Sequence, residues 1–137
     1  MKTGCSRSGF TLIEVMVVVI IIAALAGMVL PRLLHTADEA KRDIAKGDIA
    51  NISVAIKLFW LHNGRYPTSE EGLKALLSKP TAARNWRGPY LEKRPLDPWH
   101  REYQYRCPGS KNVDGFDLWS LGPDEANADG VVGNWEE

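Results

Sequence analysis

Hydrophobic and polar positions divide this chain of 137 residues into two unlike parts. From Val15 to Leu30 every position except Gly27 holds an aliphatic residue, alanine or methionine. Phe10, Thr11, Leu12 and Ile13 extend the run upstream, and Glu14 is the one acid inside it. Phe10 to Leu30 counts 21 residues. As a helix that run spans about 31 Å, close to one bilayer hydrocarbon core. It has no polar face to offer water. In lipid it satisfies its own backbone and needs no partner. The pattern predicts a membrane-spanning helix over 10–30.

Beyond Pro31 the period changes from continuous to helical. Leu33, Ala37, Ala40 and Ile44 fall three and four apart, and Ala45, Ile49, Ile52, Ile56 and Phe59 continue the stripe, slightly rotated. Asp38, Glu39, Lys41, Arg42, Asp43, Lys46 and Asp48 form a solvated opposite face. Pro31 either kinks one long helix or opens a second at its first turn. The expectation is one helix over 10–62 with its bend at Pro31, stopped by Asn63-Gly64.

The remaining 63–137 read as a small globular domain. Thr68 with Glu71 fits a capping box, and Leu73, Leu76 and Leu77 give a short helix one apolar face. Turn-rich sequence follows to Pro98, with Trp86, Tyr90, Leu91, Leu96 and Trp99 expected to pack beneath it. Glu102–Cys107 and Phe116–Leu121 alternate, which predicts a β-hairpin. A Gly/Asp/Asn-rich acidic loop then runs to Trp135, which is expected to fold back onto the sheet. The fold class is α+β: a long amino-terminal helix, a short helix, an antiparallel sheet and an acidic loop.

Charge changes this picture little. Seventeen basic residues balance seventeen acidic ones, so no basic face invites nucleic acid. Cys5 and Cys107 lie on opposite sides of the predicted span, which argues against a disulfide. A 75-residue domain has a thin core and needs another staple. His35, His62 and His100 are scattered, and no nucleophile–base pattern appears, so no catalytic activity is expected.

Residues 1–9 are short and polar, with Lys2 and Arg7. Basic charge there favours a cytoplasmic amino terminus and a domain on the far side. The run Gly9-Phe10-Thr11-Leu12-Ile13-Glu14-Val15 resembles the processing motif of type IV pilins and pseudopilins. The resemblance implies that 1–9 is a leader cut between Gly9 and Phe10 by prepilin peptidase. It implies N-methylation of Phe10 and an assembly role for Glu14 with Phe10. Physical chemistry agrees: an acid inside a span costs on the order of 2.5–3.5 kcal/mol on insertion scales and calls for a partner. The freed amine of a neighbouring subunit's Phe10 would be one.

Farther along, Tyr66-Pro67-Thr68, Gly88-Pro89-Tyr90-Leu91, Asp97-Pro98-Trp99, Ser120-Leu121-Gly122-Pro123-Asp124 and Gly133-Asn134-Trp135 occur in the order seen in the major pseudopilins of the type II secretion system. That resemblance covers nearly all of 9–135. It implies calcium in the acidic loop, held by Asp124, Asn127, Asp129 and the backbone carbonyls of Leu121 and Val131. Asp129 is followed by Gly130, where relatives often carry a second acid. Calcium would be the missing staple.

The expected function is therefore structural: the major subunit of a pseudopilus that polymerises helically and drives protein export across the outer membrane. The implied partners are copies of itself, minor pseudopilins, an inner-membrane assembly platform, prepilin peptidase and membrane lipid. The implied location is the bacterial inner membrane, single-pass, with a periplasmic domain. A type IV major pilin of a surface fibre and a membrane-anchored periplasmic binding module are the alternatives.

Overall fold

The computed structural model describes residues 9–126 and 130–135, leaving aside the side chains of 32–35. Helix α1 runs Leu12–Asn63. Thr11 starts it: its Oγ1 accepts the Glu14 backbone N–H at 3.3 Å, the usual office of an N-cap hydroxyl. Glu14 stands in the first turn, where the helix dipole favours an acid. Pro31 lies inside α1 rather than opening a second helix. Gly64 ends α1, with φ +70° and its N–H donating to the Trp60 carbonyl at 2.7 Å.

The chain gathers into two compact units, Met1–Ala37 and Asp38–Glu137. In the first, the large apolar residues from Phe10 to Leu30 are all exposed. Among the described residues, α1 is the one helix long and apolar enough to cross a membrane.

In the second unit, α1 buries Ala45, Ile49, Ile52, Ala55, Ile56 and Phe59. The stripe therefore begins later than its spacing predicts. Ala37, Ala40 and Ile44 are exposed, because the globular part covers the helix only from Ala45 onward. Ala75, Leu76, Tyr103, Phe116, Leu118 and Val132 complete the core opposite this face.

Thr68 and Glu71 form the expected capping box. The Glu71 N–H donates to Thr68 Oγ1 at 3.2 Å, and the Thr68 N–H donates to Glu71 Oε2 at 2.9 Å. The element that follows is a 3₁₀ turn, Gly72–Leu76, and not the α-helix the leucine spacing suggests. The Leu77 and Ser78 N–H groups both turn onto the Lys74 carbonyl. This closes the element after five residues, too few for an α-helix to propagate.

The sheet is antiparallel in the order β1-β2-β3. Strand β1 is Gln104–Arg106, β2 is Asp117–Ser120 and β3 is Val132–Gly133. Tyr105 faces Leu118 in the first pair, and Ser120 faces Val132 in the second. The hairpin strands are shorter than the alternating patterns. Glu102 leaves the hairpin to bridge Leu96. Two residues carry no alternation, so β3 has no signature in the sequence. Trp86, Tyr90, Leu91 and Trp99 pack against the core as expected, but Leu96 is exposed. Trp135 returns to the sheet, its ring 5.9 Å from that of Trp119.

Candidate assembly segment and terminal loop

Gly9, Phe10 and Glu14 are all exposed at the start of α1. Phe10 is 83% exposed. Among the described residues, no ion pair includes the Glu14 carboxylate. Sequence reasoning finds Glu14 from its place in an apolar run but misses the Thr11 cap. The Thr11-x-x-Glu14 spacing carries that signal.

In the globular unit, two buried aspartates organise loops. Asp97 accepts the N–H groups of Trp99 and Arg101 through Oδ1, at 3.0 and 2.8 Å. Its Oδ2 accepts the Ser120 hydroxyl at 2.6 Å. Asp117 accepts the N–H groups of Ser110, Lys111 and Asn112 at 2.6, 2.9 and 2.9 Å. Burial acts to raise the Asp117 carboxyl, but those N–H groups and the Ser110 hydroxyl outweigh it and hold its pKa below the ordinary value. The Glu71 carboxyl is also held low, first by its hydrogen bonds from Arg65 and then by the Thr68 N–H. The aspartate roles lie in loops, where no periodicity advertises them.

The acidic loop starts at Leu121. Gly122 has φ +73°, and a side chain there would strike the Gly130 carbonyl. The two legs of the loop therefore touch, and the Leu121 carbonyl lies 3.8 Å from the Cβ position of Gly130. Asp124 is exposed and its Oδ1 accepts the Ala126 N–H at 3.0 Å. Glu125 turns away to Arg101, 3.1 Å distant. Asn127 and Asp129, two of the five expected calcium donors, lie outside the described residues. Among the described residues, no group of three His, Cys, Asp or Glu side chains gathers. The donors of the expected set are all oxygens, the kind a hard cation takes. The touching loop legs bring the Leu121 and Val131 ends together. Cys107 is a free, half-buried thiol whose Sγ donates to the Gly115 carbonyl at 3.6 Å; Cys5 lies outside the described residues.

A long exposed apolar helix joined to a small helix-packed sheet defines a pilin-like structural subunit. Comparison with known proteins narrows the class. The family model for type II secretion system protein G matches residues 32–135, and the prokaryotic N-terminal methylation motif matches residues 5–30. The type II secretion system core protein G of Pseudomonas aeruginosa is 46% identical, the match covering 95% of this chain and 96% of that protein. Its counterpart in Vibrio cholerae is 42% identical over 98% and 96% of the two chains. The crystal structure of the major pseudopilin from the type 2 secretion system of enterohaemorrhagic Escherichia coli is similar with a TM-score of 0.68 at 38% identity. The match covers 75% of this chain and 89% of that one. The chain belongs to the type II secretion system protein G family. It is a membrane-anchored structural pseudopilin rather than an enzyme. The surface-fibre pilin and the binding module give way to this reading.

Proposed function

We propose that prepilin peptidase cuts this chain between Gly9 and Phe10 and methylates Phe10. The mature subunit waits in the inner membrane with its globular unit in the periplasm. It then leaves lipid to join a helical pseudopilus. Glu14 of the incoming copy pairs with the amino terminus at Phe10 of a copy already in place, which relieves a charge held in an apolar setting. Pro31, lacking an N–H, gives α1 a weak point at which to bend during transfer. Minor pseudopilins and an inner-membrane platform complete the assembly. Calcium at Asp124, Asn127, Asp129 and the Leu121 and Val131 carbonyls orders the terminal loop and adds its binding free energy to folding.

The observation that carries the reading is the exposed Gly9-Phe10 junction followed, four residues after Phe10, by the one acid in the apolar run that opens α1. The test is the mass and first residue of the chain purified from membranes. A chain beginning at methylated Phe10 is expected. One that retains residues 1–9 would reject the reading.

A further inference from the structure

The sheet ends on β1. In the order β1-β2-β3 that strand pairs with β2 on one side only, which makes its other side an edge. Which main-chain groups face outward follows from β2. Leu118 donates its N–H to Asn134 Oδ1 at 3.1 Å and accepts the Asn134 N–H at 3.0 Å, so both its main-chain groups turn toward β3. Its partner on β1 is Tyr105. The ladder from β1 to β2 therefore runs through Gln104 and Arg106, and the N–H and C=O of Tyr105 point out from the edge.

The fold closes this edge on both flanks. On one, the Ser69 hydroxyl takes both main-chain groups of Cys107. On the other, Glu102 bridges Leu96. Between them, no main-chain hydrogen bond among the described residues stands in for a further strand at Tyr105. A cleft of about 260 Å³ lies there, between the 3₁₀ turn and β1, with Leu73, Leu77 and Pro95 as its apolar walls. Its charges are uneven. Glu71 is bound to Arg65 at 2.7 Å and Glu102 to Arg94 at 2.5 Å. Lys74 also lines the cleft and is exposed, and among the described residues no ion pair includes it.

We infer that this cleft takes an extended acidic peptide of a partner protein, which adds to β1 as a further strand and sets a carboxylate against Lys74. Three observations select that occupant. Tyr105 offers one donor and one acceptor, which an extended main chain matches and a helix, its own groups already paired, does not. Only Tyr103 to Arg106 lie between the two closures, so the window fits a short segment and excludes a whole sheet. The apolar walls can take alternate side chains of such a segment, and the unbalanced Lys74 selects an acid over a base.

The test uses the full-length, isotope-labelled chain in detergent and capped synthetic heptapeptides of alternating valine and threonine, with glutamate or lysine at the centre. The glutamate peptide should shift the Tyr105 amide resonance and slow its hydrogen exchange. It should bind about three- to fivefold more tightly than the lysine peptide, the range of one exposed ion pair. Lys74→Glu changes an exposed side chain; it should reverse that order and leave the melting temperature unchanged. A glutamate peptide with alternate amides N-methylated keeps the side chains but loses the donors, and should not bind. Shifts confined to other residues, equal affinity for the two charges, or binding of the N-methylated peptide would overturn the inference. A Tyr105 resonance that moves with protein concentration alone would give the edge to a second copy and overturn it too.

Discussion

Ser120 donates its hydroxyl to Asp97 at 2.6 Å, a bond between two buried residues far apart in the chain. The same hydroxyl oxygen accepts the Gly122 N–H at 3.1 Å. One carboxylate thus joins the turn at Pro98 to the last residue of β2 and, through it, to the start of the acidic loop. Asp97→Ala would strand the buried Ser120 hydroxyl and the half-buried Trp99 and Arg101 N–H groups, and a loss of about 3 kcal/mol is expected. Ser120→Ala removes one bond and should cost about 1 kcal/mol. Chemical denaturation of the two variants measures both, and equal losses would contradict this hierarchy.

Phe59 is fully buried, packs edge-on against Tyr90 at 5.8 Å and lies under the Arg65 guanidinium at 5.7 Å. Phe59→Ala should destabilise by about 3–5 kcal/mol. At roughly 4–8 °C per kcal/mol for a domain of this size, the melting temperature should fall steeply. A shift of only a few degrees would mean that the site collapses around the vacancy.

Asp117 and Glu71 both have pKa values below the ordinary carboxylate value when folded. A depressed folded pKa gives stability that is present above the unfolded value and lost as pH falls through the folded one. Melting temperature should hold from neutral pH down to the unfolded carboxylate range, about 4, and drop below it. Asp117→Asn should lower the neutral-pH value and flatten the acid limb. A variant with an acid limb as steep as the parent's would count against the Asp117 contribution. Glu71 should contribute less, since its partner Arg65 is partly exposed.

Replacing Glu14 by Gln removes the charge and keeps the shape. Fibre formation should be lost while membrane insertion and thermal melting of the globular unit stay unchanged. Fibres at parental yield would dismiss the pairing with a neighbour's terminus.

For the loop, a chelator should lower the melting temperature by several degrees, and Asp124→Ala should melt at the chelated temperature with or without calcium. Identical melts of the parent in both conditions would reject the metal.

Much of this architecture is written as periodicity. The uninterrupted apolar run, the buried stripe from Ala45 to Phe59 and the Tyr105/Leu118 hairpin are all legible in one-dimensional spacing. The features that escape are those without a period. Strand β3 is two residues long and pairs only because the chain returns to β2. Leu96 looks like core but is exposed, since the chain there turns to bridge Glu102. The 3₁₀ turn shares its apolar spacing with a short α-helix and differs only in length. Asp97 and Asp117 resemble ordinary turn residues until their donors are counted. At the assembly segment, Glu14 is conspicuous because its neighbours are apolar. The exposure of Val54 and Leu58 on α1 is harder to see, because a sequence shows that they are apolar but not that the fold leaves them bare.

Load applied along α1 would reach the sheet through the segment that leaves the helix. Ser69 and Cys107 clasp each other, the Ser69 hydroxyl donating to the Cys107 carbonyl at 3.0 Å and accepting the Cys107 N–H at 2.9 Å. Nearby, the Tyr105 hydroxyl donates to the Pro67 carbonyl at 2.8 Å. These bonds stitch the segment leaving α1 to the hairpin. Thrust along the helix would therefore reach the sheet as shear across this short polar seam.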